Sequence, residues 1–224
     1  FIGNIKFICD LYEKKIEISD KDFLLKRRFW FAASVHKDED IFCLQTHINL
    51  KKKLKDIITI IAPRHVDRSK QIRALSEKLQ LKTQILNKND NILHNKEIII
   101  INHFGGLKKY FKYAKSVFIG KSMVKKLISD GGQNPIEAAR LNCKVYHGPY
   151  VYNFKEIYEI LKKNNISQEI INPENFSKDL FNDFNNFEKN FEKSSNLLND
   201  LGSQTLEITI KNINRFLKDE SIKT

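Results

Sequence analysis

Short apolar runs recur along the chain, and most stop at a polar or glycine-bearing segment. Phe29–Ser34, Asp56–Ala62, Lys82–Leu86, Ile98–Ile101, Ser116–Ile119 and Lys144–Tyr146 read as strands. They are too short for core helices, and several are rich in β-branched or aromatic side chains. Between them the apolar spacing changes to that of helices, over Asp38 to about Leu54, Asp67–Leu79, about Leu107–Tyr113, Pro135–Leu141 and Asn153–Lys162. The helix after the first run opens on Asp38, Glu39 and Asp40 and closes on Lys51, Lys52 and Lys53, as the helix dipole favours. Strands that alternate with helices predict parallel pairing through crossovers. The expected fold is α/β: a Rossmann-like, doubly wound parallel sheet with helices at the C-terminus.

The pattern divides the chain in three. Residues 1–28 are mixed, end in the basic cluster Lys26-Arg27-Arg28, and read as an entry segment or linker. Residues 29–172 carry the alternating pattern. Residues 173–224 form a helical extension, with Leu180, Phe181, Phe184, Phe187 and Phe191 at helical spacing and a further amphipathic helix over Gln204–Leu217. A stripe of this kind is core packing before it is a ligand box. Asn87–Asn95 reads as an exposed connection.

Composition changes this picture little. Lys and Arg outnumber Asp and Glu by 39 to 27, giving a net charge of +12. That balance favours anionic partners. The lysines are interleaved with acids, however, and the joint excess of Lys, Asn and Ile is what an A/T-biased genome produces. Cys9, Cys43 and Cys143 show no CxxC or Cys/His metal spacing and suit a reducing cytoplasm. No apolar stretch approaches bilayer-spanning length. The chain begins at Phe1 rather than Met, which reads as a processed chain or a piece of a longer one.

In doubly wound sheets, ligands bind beyond the carboxyl ends of the strands. Ser34, Arg64, His65, Asn102 and Gly120 fall at such ends. Asp130-Gly131-Gly132-Gln133-Asn134-Pro135-Ile136-Glu137 combines two glycines with a helix start. The first amides of a helix lack internal partners and suit a phosphate. Asn134 can cap that helix or meet a phosphate oxygen, and Glu137 can accept from ribose hydroxyls or complete a capping box. Arg64 can pair with a phosphate through its fork of donors, or be a surface arginine. His36 and His65 are either ligand contacts or solvated turn residues. No GxSxG elbow is present.

Taken in order, several segments resemble the 3-deoxy-D-manno-octulosonic acid (Kdo) transferases, glycosyltransferases of the two-domain GT-B type. These are Gly3-Asn4-Ile5-Lys6-Phe7, Trp30-Phe31-Ala32-Ala33-Ser34-Val35-His36 with Glu39, Pro63-Arg64-His65, Phe118-Ile119-Gly120 with Ser122, Gly131 through Glu137, and Gly148-Pro149 with Asn153-Phe154. The resemblance implies one half of a GT-B fold, the half that binds the donor CMP-Kdo. Ser34, Arg64, His65, Asn134 and Glu137 would hold the cytidine monophosphate portion, with His36, Gly120, Ser122, Gly131 and Gly132 around it. The resemblance further implies that the catalytic carboxylate, the site for a lipid A precursor and a peripheral contact with the inner membrane belong to an N-terminal domain not in this sequence. The fragment alone is then expected to be inactive. The intact protein would work at the cytoplasmic face of the inner membrane, in lipopolysaccharide synthesis. No metal or other cofactor is expected, and no specific nucleic acid.

Two departures stand out. The family's acidic Asp-Thr-Met-Gly-Glu-Leu type segment is here Asn102-His103-Phe104-Gly105-Gly106-Leu107, without either carboxylate, and Gln133 stands where histidine is frequent. Two other readings remain open: a GT-B donor domain for a UDP- or GDP-sugar, and a non-catalytic basic module for RNA or anionic lipid. The last predicts binding that weakens steeply with salt.

Overall fold

A computed structural model describes residues 18–186 and 191–221. The elements run α1 (Ile18–Leu25), β1 (Phe29–Val35), α2 (Glu39–Lys51), β2 (Ile58–Pro63), α3 (Ser69–Lys78), β3 (Thr83–Leu86), β4 (Ile98–Ile101), α4 (Leu107–Tyr113) and β5 (Ser116–Ile119), then α5 (Ile136–Arg140), β6 (Lys144–His147), α6 (Lys155–Lys163), β7 (Ser167–Glu169), α7 (Pro173–Asn186) and α8 (Phe191–Ser221). Seven strands form one sheet in the order β3-β4-β2-β1-β5-β6-β7. Every pairing is parallel.

Alternation along each strand feeds two cores. Phe29, Phe31 and Ala33 of β1 join one core with α1, α4, α5 and α6, while Trp30 and Ala32 join the other with α2, α3 and α7. Fully burying one such large apolar side chain contributes about 1.5–3 kcal/mol. Phe176 anchors α7 in the second core, its ring 5.1 Å from Trp30 and 5.0 Å from Tyr146. The Asp183 carboxylate of the same helix accepts hydrogen bonds from the Tyr146 and Ser116 hydroxyls.

Three features depart from the sequence pattern. The entry segment contains α1, whose Phe23 and Leu24 lie in the first core. Its Asp20 accepts from the Ile92 amide, so this part of residues 1–28 belongs to the folded unit. The polar strand β7 had no apolar run to announce it. The helix expected from Gln204 begins instead at Phe191. Gly3 through Phe7, Cys9 and Phe187 lie outside the described residues, as does the side chain of Phe191.

The site is positioned by the reversal of strand order. From β1 the chain builds β2 and then β4 with β3 on one side, and returns to build β5, β6 and β7 on the other. The chain leaves β1 for α2 in one core and β5 for α5 in the other, and a crevice is expected beyond those strand ends.

Candidate functional site

The two strands flanking this reversal are drawn together by unusual backbone. The register of β1 on β2 shifts between Ala33 and Val35, and Ser34 sits in the left-handed region at φ 56°. The shift returns Val35 to the core that Trp30 and Ala32 occupy. Opposite it, a Cβ on Gly120 would come within 2.4 Å of the Ser34 carbonyl oxygen. Only glycine lets β5 pass so close.

Behind the crossing lies Glu39, in the first turn of α2 and wholly buried. One carboxylate oxygen accepts from the amides of His36 and Lys121, the other from those of Ser122 and Met123. Burial pushes its pKa up, against the four amide donors that favour the ionised form. Ser122 completes the clasp, donating to the Ile119 carbonyl and accepting from the Gly148 amide. Its hydroxyl is fully buried and holds β5 and β6 together.

In front of the crossing lies a cavity of about 410 Å³, within the range of small-ligand sites. Ser34, Arg64 and Glu137 reach it from three distant parts of the chain, together with His103 through Lys108. Glu137 stands 3.5 Å from the Lys108 ammonium rather than completing a capping box. Arg64 is exposed, and its amide donates to the Val35 carbonyl. His65 is exposed beside it, and its ring lies 6.0 Å from that of His36. His36 has its pKa lowered to about 4 by burial and by the positive charges of Lys121, His65, Arg64 and Arg68. Its Nε2 is buried without a partner. Arg68 is paired with Asp40 and Lys121 with Asp130, whereas Arg64 lines the cavity.

The diglycine turn is more closed than its sequence implies. Gly131 and Gly132 are buried, and the Gly132 amide donates to the Lys121 carbonyl. Gly132 sits at φ 89°, where a Cβ would press on Val151. The turn therefore shapes the rim through packing, and that amide is occupied. The Asn134 side chain accepts from the Ile136 amide at the start of α5.

The segment His103–Lys108 was not among the expected contacts, although its glycine pair after the Ile98–Ile101 run was a visible sign. Gly105 and Gly106 both have positive φ, which bends the segment along the cavity. Phe104 is 80% exposed, and His103 Nε2 is buried without a partner. Burial lowers the His103 pKa, which keeps the imidazole neutral. Glu39, too, is placed here by the fold: an acid in a first helical turn gave no hint of four amides.

No family model matches the sequence. The 3-deoxy-D-manno-octulosonic acid transferase of Haemophilus influenzae is 30% identical over 164 residues, covering 71% of this chain and 37% of that protein. The enzyme of the same name from Aquifex aeolicus is 26% identical over 170 residues, covering 76% of this chain and 43% of that protein. Among solved structures, the C-terminal CMP-Kdo binding domain of WaaA from Acinetobacter baumannii superposes with a TM-score of 0.68 at 18% identity, covering 85% of this chain and 94% of that domain. The chain belongs to the Kdo transferase family. It matches the family's C-terminal domain, one half of the GT-B fold, and spans about two fifths of the length of these two relatives. Among the described residues, no helix is long and apolar enough to cross a membrane, and no group of three His, Cys, Asp or Glu side chains is placed to hold a metal ion.

Proposed function

We propose that the chain is the donor-binding half of a Kdo transferase and holds CMP-Kdo in the cavity at the strand-order reversal. The observation that carries this reading is the convergence of Ser34, Arg64 and Glu137 on that cavity. Glu137 accepts from the ribose hydroxyls. Arg64 forks onto the phosphate, with Ser34 and His65 beside it. His103 and the exposed Phe104 ring border the cytosine, one by hydrogen bonding and the other by stacking. The relatives' names support the substrate class.

In this reading a lipid A hydroxyl attacks the anomeric carbon of Kdo with inversion, and CMP leaves. The charge that develops on the leaving phosphate is met by Arg64, without a metal. The general base, the acceptor site and the contact with the cytoplasmic face of the inner membrane fall to the part of the relatives' length that this chain does not span. Calorimetry with CMP, UDP and GDP tests the reading. CMP is expected to bind at least about tenfold more tightly than either diphosphate, a difference of about 1.4 kcal/mol. A preference for UDP or GDP would assign the domain to another glycosyltransferase.

A further inference from the structure

Between β4 and α4 the chain runs along the cavity as His103-Phe104-Gly105-Gly106. Both ends of this segment are fixed. Asn102 donates its amide to the Leu86 carbonyl and its side-chain NH2 to the Asn87 side-chain oxygen. On the far side, Tyr110 and Phe111 of α4 are buried in the first core.

The middle is held by little. Among the described residues Gly105 makes no hydrogen bond, and the Phe104 carbonyl has only a long contact, 3.5 Å, to the His103 imidazole. A Cβ on Gly105 would meet nothing within 4 Å, so the chain rests against no neighbour there. Gly105 and Gly106 stand at φ 77° and 81°. Glycine takes negative φ as readily as positive. Rotation at two successive glycines therefore swings the segment with no side chain of their own to obstruct it.

Phe104 is the group that such a swing moves. It lines the cavity and is nonetheless 80% exposed, which leaves most of a large apolar ring in water. Among the described residues it stacks on no other ring. It is also the only Phe, Tyr or Trp that lines this cavity. Of the parts of a nucleotide, the phosphate and the ribose are polar and suit Arg64 and Glu137. The base alone has a flat face that an aromatic ring can cover.

We infer that His103–Gly106 is a lid hinged at the two glycines, and that Phe104 closes over the nucleobase after the phosphate and ribose are held. This rests on the donor reading of the cavity and adds to it the step that retains the nucleotide. Closure buries the ring against the base once the nucleotide is in place, so it slows release more than it speeds capture.

The test measures CMP affinity, association and release on the full 224-residue chain, with amide hydrogen exchange in the free and bound states. CMP should slow exchange at the amides of Phe104, Gly105 and Gly106. Phe104→Ala, at an exposed position, should weaken CMP at least about fivefold, chiefly through faster release. Phe104→Tyr keeps an aromatic face and should restore the affinity. Gly105→Ala adds a methyl group to open space and acts on the backbone alone, so it should change the CMP release rate about threefold or more. Unchanged exchange at the three amides, an affinity of Phe104→Ala within about twofold of the wild type, a loss carried by association rather than release, or an unchanged release rate in Gly105→Ala would each overturn the lid. With CMP still bound at Arg64 and Glu137, those results leave the donor site standing; a wild-type chain that binds no CMP removes both.

Discussion

Glu39 decides the local geometry more than any residue that faces the cavity. Its carboxylate gathers the amides of His36, Lys121, Ser122 and Met123, which come from the two loops flanking the strand-order reversal. Glu39→Gln keeps the shape but turns an NH2 group towards two of those amides. A buried donor left without an acceptor costs about 1–3 kcal/mol. The variant should lose roughly 3 kcal/mol in urea unfolding, with CMP binding weakened as the rim loosens. A change below about 0.5 kcal/mol would mean that the amides find other partners. The sequence shows Glu39 as an acid in a helix's first turn that matches the family's segment, but not its four amide partners, because the ends of β1 and β5 meet only after the sheet has formed. That Ser34, Arg64 and Glu137 stand at strand and helix ends, by contrast, was legible, and the structure brings the three to one cavity. Ser122 matched the family pattern, and its hydroxyl serves the clasp, a bond between β5 and β6 that the pattern did not announce.

At the scale of elements, the long apolar runs announced themselves and the short polar ones did not. Ile98–Ile101 is buried on both faces and needs no alternation to be recognised. Ser167–Glu169 is a three-residue edge strand whose side chains carry no apolar signal. The order β3-β4-β2 is likewise not written in local pattern, because β4 inserts between β2 and β3 through tertiary pairing. The C-terminal stripe was read as core, and Leu180, buried, with Phe181 and Phe184 packed against the second core, bears this out for α7; Phe176, outside that stripe, contacts the rings of Trp30, Phe42, Phe118 and Tyr146. Phe176→Ala leaves a cavity under the whole helix and should cost about 3–5 kcal/mol. Thermal unfolding measures it; a loss below about 1 kcal/mol would show that α7 is held mainly by the Asp183 bonds to Tyr146 and Ser116.

At the scale of the molecule, a parallel sheet with two cores places two cavities on one rim, and they differ in charge. The cavity at the reversal is lined by Arg64 and by Lys108 paired with Glu137, whereas the one beyond β6 and β7 has two lysines and two glutamates. The net charge of +12 conceals that contrast, which only folding sorts into separate places. The central claim is that the first cavity holds the cytidine monophosphate part of a donor. It is tested most directly by CMP titration of the wild-type chain and of Glu137→Ala, with the binding site mapped by NMR. Glu137 is partly exposed and pairs only with Lys108 among the ion pairs described, so its loss should leave the fold intact. The account predicts shifts centred on Ser34, Arg64, His103 and Glu137, and an affinity lowered about tenfold in the variant. Shifts gathered elsewhere, or equal affinity in a folded Glu137→Ala, would contradict it.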